Sequence, residues 1–331
     1  MKIWAILGAR TGDNNQVLAL AEALALPFEC KRLSYNHWRH FGPKVLGATF
    51  RSLTRSSRAQ VSGEIPDLTI STGHRSVPLV QELRRRSKGR MRSIHLGYPR
   101  ISPGNFDLVV ATPEYPIGDH PKLMRIPFAL TRKPGPGESD EAFWAKYPKP
   151  RKLLILGGPA LYWGLDWRAI EAALETLQEG EGETGSVIVA GSPRTPASIL
   201  KRVENWVSQA DLRALLVPVG GPPAYSGMLY HADSIAVTAD SVAMISDAIA
   251  TGKPVGLVTI QSTLTGRLVT MVTDLIRPGH RVRPRDLRFF WKTLRESGLV
   301  GTAELPTSGT VPDLNRLVAD RVRAILNIGN S

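Results

Sequence analysis

Residues 232–255, ADSIAVTADSVAMISDAIATGKPV, place Ser241, Met244 and Asp247 at successive intervals of three on a helix that opens at the polar elbow Thr238-Ala239-Asp240-Ser241. Residues at that spacing share one helical face. A carboxylate there can accept both hydroxyls of a ribose, and an otherwise apolar helix offers a core no reason to hold an Asp. Binding is therefore the favoured reading of Asp247. Upstream, Gly157-Gly158-Pro159 ends one apolar run and Gly191-Ser192-Pro193-Arg194-Thr195-Pro196 ends the next. A small-residue turn with hydroxyls, an Arg and a Pro poised to start a helix suits a diphosphate at the helix N-terminus. It is equally a description of a capped turn with a surface Arg.

The first half of the chain offers two further turns. Gly8-Ala9-Arg10-Thr11-Gly12-Asp13 follows an apolar run and opens a helical pattern. Its backbone N–H groups can cradle an anion, or the turn is structural with Asp13 as helix cap. It has neither the GxGxxG of a dinucleotide site nor the Lys-Ser/Thr of an NTPase loop. Ser71-Thr72-Gly73-His74-Arg75 again ends a strand-like run, the place where open α/β sheets bind ligands. His74 and Arg75 there can act as acid/base and anion anchor, or form a solvated polar turn.

These turns need rigid elements behind them, and the alternation of apolar runs with helical spacing supplies a parallel sheet covered by helices. Strands are predicted at 2–8, 27–33, 67–73, 92–97, 106–112 and 123–128, with crossover helices over Asn14–Leu26 and Ser76–Ser87. The Pro-, Gly- and charge-rich stretch 131–152 interrupts the pattern and marks a boundary. Strands resume at 153–157, 186–190, 214–219, 234–238 and 254–259. Helices fall near 167–179, 196–209, 223–231, 241–251 and 264–275, and after 280 only two helical segments are expected, 284–298 and 311–327. The expected fold class is α/β with two Rossmann-like, doubly wound parallel-sheet domains. The expected boundaries are an N-terminal domain 1–135, a linker 136–151, a C-terminal domain 152–280 and helices from 281 to 331 that return to the first domain.

Among 331 residues, 42 Lys and Arg outnumber 29 Asp and Glu, a net charge of +13. The excess is uneven. Residues 1–150 hold 23 basic and 12 acidic residues, net +11, which leaves 19 and 17, net +2, for the rest. Such a balance points to polyanionic partners. From Cys30 to Gly63 the chain carries Lys31, Arg32, Arg39, Lys44, Arg51, Arg55 and Arg58 with no acidic residue, interleaved with Trp38, Phe41, Val45, Leu46, Phe50 and Leu53. That reads as a basic amphipathic segment for an anionic membrane face, or as a solvated face over core contacts. Arg84–Arg86, Lys88, Arg90 and Arg92 form a second basic cluster, yet no RNA- or DNA-binding motif accompanies it, so no nucleic-acid partner is expected. A single cysteine, Cys30, excludes an intramolecular disulfide framework and cysteine-clustered zinc. The opening apolar run is too short for a signal-peptide core, and no run is long enough to span a bilayer.

The segment 232–255 resembles the donor-binding region of GT-B glycosyltransferases and of UDP-N-acetylglucosamine 2-epimerases. With GDNNQVLALAEAL at 12–24 and SPRTP at 192–196, the chain more closely resembles the bacterial branch of the Elm-type mitochondrial fission family. That family takes its name from a plant protein's role in organelle division, and its bacterial members are described as nucleoside-diphosphate-sugar enzymes. The resemblance implies a GT-B-like fold, two domains facing across a cleft. It implies that Arg194 and Thr195 meet donor phosphates, that Ser241 and Met244 line the nucleotide, and that Asp247 binds ribose; Gly158, Ser192 and Asp240, from the turns read above, are the further residues expected at the nucleotide-sugar site. Two departures stand out: Glu is usual at 247, and ATPEYP at 111–116 replaces a Pro-x-His-Asp pattern, leaving Glu114 as the carboxylate there. The implied activity is glycosyl transfer from a nucleotide sugar to a lipid-linked or cell-envelope glycan acceptor, with Asp13 or His74 as base and neither cofactor nor metal. The expected location is cytoplasmic, peripheral on the inner membrane face. Alternatives are a nucleoside-diphosphate-sugar 2-epimerase or hydrolase, and a non-catalytic membrane or protein interaction scaffold.

Overall fold

The computed structural model describes residues 1–136, 141–160, 162–178, 185–210, 213–276 and 285–328. Residues 137–140 of the expected linker, and the expected boundary at 280, lie outside them. The chain forms two compact units: Met1–Arg132 with Arg283–Arg285 and Asp313–Ser331, and Lys133–Val282 with Asp286–Pro312.

The first unit begins β1 (Ile3–Leu7), α1 (Thr11–Ala23), β2 (Phe28–Arg32), two short helices α2 (Pro43–Leu46) and α3 (Arg55–Ala59), and β3 (Leu68–Thr72). It continues α4 (Val77–Arg86), β4 (Arg92–Leu96), β5 (Leu108–Ala111) and β6 (Leu123–Arg125). All strand pairs are parallel, in the order β2-β1-β3-β4-β5-β6. Every residue of β1 and β5 is buried, as an unbroken apolar run in a sheet covered on both faces requires. Trp4, Ile6, Leu53, Leu79, Leu83 and Phe106 meet in one core cluster. The order reverses at β1/β3, because the chain steps outward to β2 and then returns past β1.

The second unit contains α5 (Glu141–Trp144), β7 (Arg151–Leu156), β8 (Trp163–Leu165), α6 (Trp167–Gln178), β9 (Ser186–Gly191), α7 (Ala197–Gln209), β10 (Arg213–Val217) and α8 (Tyr225–His231). It continues through β11 (Ser234–Thr238), α9 (Val242–Ile249), β12 (Val255–Val258), β13 (Ile260–Ser262), α10 (Leu264–Ile276), α11 (Leu287–Glu296) and β14 (Gly301–Thr302). Its sheet runs β10-β9-β7-β11-β12-β14, all parallel, so the topological switch lies between β7 and β11. The last helix, α12 (Leu314–Leu326), belongs to the first unit, where it packs on α1. There Arg323 donates to the carbonyls of Ala23 and Leu24 at the end of α1, where a cation is favoured. The two C-terminal helices thus divide, α11 in the second unit and α12 in the first.

Three features depart from the sequence reading. Strands do not stop at 280, since β14 pairs with β12 as a sixth strand. Two residues show no alternation to read, and the pairing depends on glycine: a Cβ on Gly256 would collide with the Thr302 carbonyl oxygen. A separate two-stranded antiparallel sheet, β8 with β13, is also present. And Cys30–Gly63 is no continuous amphipathic element but the end of β2, a single 3-10 turn at His37–His40, α2 and α3. Phe50 and Leu53 enter the core, whereas Trp38, Phe41 and Val45 stay 39%, 48% and 74% exposed. The second basic cluster is largely engaged within the fold: Arg84 and Arg92 pair with Asp107, and Arg85 and Arg86 with Glu82. Replacing Gly256 by Ala should detach β14 and cost about 1–3 kcal/mol, as overpacking does. Urea denaturation checks this, and an unchanged midpoint would show that β14 does not seat on β12.

Candidate functional site

In the second unit the strand ends on either side of the switch are joined by one carboxylate. Asp240, 3% exposed, accepts the Gly158 N–H at 3.0 Å and the Thr238 hydroxyl at 2.7 Å, and pairs with Arg194 Nη2 at 3.2 Å. Thr238 Oγ1 in turn accepts the Gly157 N–H at 2.8 Å. A Cβ at 157 would strike the Asp240 carboxylate, and one at 158 the Arg194 carbonyl, so both positions require glycine. Thr195 Oγ1 accepts the Ser192 N–H and donates to the carbonyl of Gly157, closing the turn after β9 onto β7. From behind, Trp291 of α11 donates its indole N–H to the Ala239 carbonyl at 2.8 Å and stacks edge-on with Trp163.

These bonds sort the sequence-derived residues. Asp240, Thr195 and Gly158 are buried and turned into the loops they shape. Arg194 stays half exposed, although its guanidinium already touches Asp240 and the Gly158 carbonyl. Ser241 caps α9, accepting the Met244 N–H. Along α9, Val242, Ile245, Ser246, Ala248 and Ile249 are buried, while Ser241, Met244 and Asp247 are each partly open. Ala243 is partly open as well, and at Asp247 it is the carboxyl itself that lies mostly buried. Burial pushes the Asp247 carboxyl up to about 7, opposed by the Tyr225 hydroxyl beside it. That hydroxyl is itself buried without a well-formed hydrogen bond. Tyr225, in the GPPAYS stretch, has no sequence spacing that ties it to 247.

In the first unit the corresponding edge is built at the β1/β3 switch. The Asn14 side chain brackets Gly8, accepting its N–H at 2.8 Å and donating to its carbonyl at 2.9 Å. Helix α1 consequently starts at Thr11 behind Arg10, and Asp13 sits inside the first turn rather than at the cap. Burial raises the Asp13 pKa, and Arg10 and Arg285 oppose the rise. His74, at the end of β3, is pushed down to about 4 by burial and then by Arg100, Arg75 and Arg10. The two candidate bases therefore move toward each other, His74 neutral and Asp13 harder to ionise. Glu114 is fully buried, with Arg285 Nε at 3.4 Å, so it is sealed into the unit rather than offered at the surface. Arg10, Arg100 and Arg285 were absent from the sequence-derived set, and only Arg10 stood in a turn singled out there.

Two parallel α/β sheets in one chain, each with its polar strand ends at a switch point, define the GT-B-like class. Two solved structures with that fold are similar over nearly the whole chain. The S. aureus MnaA–UDP co-structure has a TM-score of 0.51 at 13% identity, covering 100% of this chain and 98% of that one. UDP-GlcNAc 2-epimerase from Neisseria meningitidis bound to UDP-GlcNAc has a TM-score of 0.51 at 10% identity, covering 98% and 100%. The family is more specific. Residues 11–305 match the family model described as mitochondrial fission ELM1, and the chain belongs to that family. The Arabidopsis thaliana mitochondrial fission protein ELM1 is 25% identical over 244 residues, 65% of this chain, and the match spans little more than half of the relative, 56%.

An acid whose pKa rises on folding holds its proton longer in the folded than in the unfolded chain, so its contribution to stability is full below pH 3.8 and lost as pH climbs through about 7. Asp247→Asn removes that loss. The variant's melting temperature relative to wild type should be nearly unchanged near pH 4 and clearly higher above pH 7, and a pH-independent difference in a thermal-shift series would refute the buried, proton-holding Asp247.

Proposed function

We propose that this chain is a GT-B-type glycosyltransferase that binds a nucleotide sugar at the β7/β11 switch of the second unit and uses the first unit for its acceptor. The observation that carries the reading is the mostly buried Asp247 carboxyl on α9, next to the partly open Met244, with a half-exposed Arg194 in the loop after β9. A ribose diol held by Asp247 places the diphosphate toward the loop after β9, where Arg194 and the N-terminus of α7 meet it. The first unit contributes His74 and Asp13, one of which takes the proton of the attacking hydroxyl. The UDP and UDP-GlcNAc held by the two similar structures support a uridine diphosphate sugar as the first donor to try.

The exposed Trp38, Phe41 and Val45, with Arg39 and Lys44 between them, support attachment to an anionic membrane and hence a lipid-linked or cell-envelope glycan acceptor. No helix among the described residues is long and apolar enough to cross a membrane. Trp38→Ser with Phe41→Ser should abolish most cosedimentation with vesicles rich in anionic lipid while leaving nucleotide binding intact, and undiminished cosedimentation would remove this tip from the membrane reading.

The decisive test is a thermal-shift panel of UDP, GDP, ADP and CMP and their sugars on wild type and Asp247→Ala. Ligand at 100 times its dissociation constant stabilises by about 2.7 kcal/mol. One nucleotide should raise the wild-type melting temperature, and Asp247→Ala should lose most of that rise. No shift with any nucleotide at saturation would exclude the donor site. The 2-epimerase or hydrolase reading rests on the same fold likeness, and release of UDP or an epimer from a UDP-sugar without acceptor would favour it.

A further inference from the structure

Among the described residues, the side chains of Arg10, Arg75 and Arg100 make no ion pair and no hydrogen bond, although each stands just past the end of a strand: β1, β3 and β4. Those strands are adjacent in the order β1-β3-β4, so the three guanidinium groups share one edge of the sheet. His74 follows the middle one of those three strands, and the charge of all three arginines is felt there. Arg100 is held there by a left-handed backbone, φ 61°, a conformation that is costly for a residue with a Cβ. Arg285 joins the edge from late in the chain, and its charge is met by the fully buried Glu114, whose carboxylate has no hydrogen bond besides that ion-pair contact. Asp13 is the other acid nearby, and Arg10 and Arg285 both act on it.

Four arginines against two carboxylates leave an excess of two positive charges beside the half-buried His74 and Asp13, and the exposed side chains of Arg10, Arg75 and Arg100 keep their planar donors free. Free guanidinium forks recognise phosphoryl oxygens, and an excess of two complements a phosphoryl dianion better than a single carboxylate. We propose that Arg10, Arg75 and Arg100 form an anion site in the first unit, at the β1/β3 switch, that binds a phosphoryl group beside His74. Taken with the transferase reading, on which the word acceptor rests, the acceptor is phosphorylated near its reacting hydroxyl. The anion site itself stands whether or not the second unit binds a nucleotide. Like the N-terminus of α1, which opens at the same edge, it favours an anion, but it is the three unpaired arginines that single the place out.

The test uses the full chain with His74 followed by imidazole NMR, assigned by loss of its signal in His74→Gln. Inorganic pyrophosphate should shift the His74 resonance and raise its pKa, and saturating UDP should not displace it. Arg75→Gln and Arg100→Gln should each weaken pyrophosphate by about tenfold or more, while leaving any nucleotide thermal shift unchanged. A phosphorylated monosaccharide and phosphatidic acid vesicles, read at the same resonance, separate a soluble phosphate from a lipid headgroup, and a response to either supports the site. No His74 response to pyrophosphate overturns the proposal. Competition by UDP would assign the arginines to the donor, and an equal response to glucuronate would overturn the phosphoryl class. A null nucleotide panel with a positive pyrophosphate response would remove the donor reading and leave this site standing.

Discussion

A carboxylate buried where two halves of a parallel sheet diverge must find donors on both sides of the gap, because an unpaired charge in that position costs several kcal/mol. Asp240 meets that demand with an N–H from the end of β7, a hydroxyl from the end of β11 and a guanidinium from the loop after β9. Much of the second unit's site follows. The bond fixes the glycines at 157 and 158, since no side chain fits between carboxylate and backbone. It draws Arg194 inward, where the guanidinium also reaches the Gly158 carbonyl, while half of the side chain stays exposed. Trp291 closes the same elbow from the other side, so the start of α9 is held at two points before any ligand arrives.

The first unit solves its switch point differently. Among the described residues, no buried carboxylate bridges β1 and β3. The Asn14 amide folds the Gly8 turn onto itself, and the charged side chains are left outward and unbalanced. The uneven charge of the chain, +11 in residues 1–150 and +2 in the remainder, thus has a structural counterpart. Many of the first unit's arginines are neutralised at Asp107 and Glu82. Those at the strand ends and on the Trp38–Val45 tip are not. One unit gathers its polar groups into a satisfied network, and the other keeps cations available.

How much of this was legible in the sequence depended on whether the signal was local. Unbroken apolar runs such as IWAIL and LLIL could only be strands covered on both faces, and the helix spacing at 167–179 and 241–251 was equally direct. The pair Met244 and Asp247 was legible because helical geometry alone puts residues three apart on one face, while Ser241 precedes the helix as its cap. The inward turn of Asp240 and Thr195 was not, since an elbow of small polar residues reads the same whether its side chains face a ligand or each other. Tertiary partners decide that, and they come from 81 or 82 residues away in the case of Gly157 and Gly158. Arg285 and β14 escaped for the same reason: each acquires its meaning from a distant strand. The segment Cys30–Gly63 misled because its composition is amphipathic while its glycines and Pro43 break it into short pieces.

The electrostatics of the first unit also bear on how a base there could work. At about 4, the His74 pKa is too low for strong general-base catalysis near neutral pH, and burial together with three cations is the cause. Burial is a fixed property of the fold. The cations are not a fixed handicap, because a dianion seated among them cancels their field at the ring. In the proposed reaction the phosphorylated acceptor would then raise the basicity of the group that must deprotonate it, and an empty site would keep His74 a poor base. Water, which brings no charge, would meet the weak form. A transferase built this way disfavours hydrolysis of its donor without a separate lid, through the same arginines that select the acceptor.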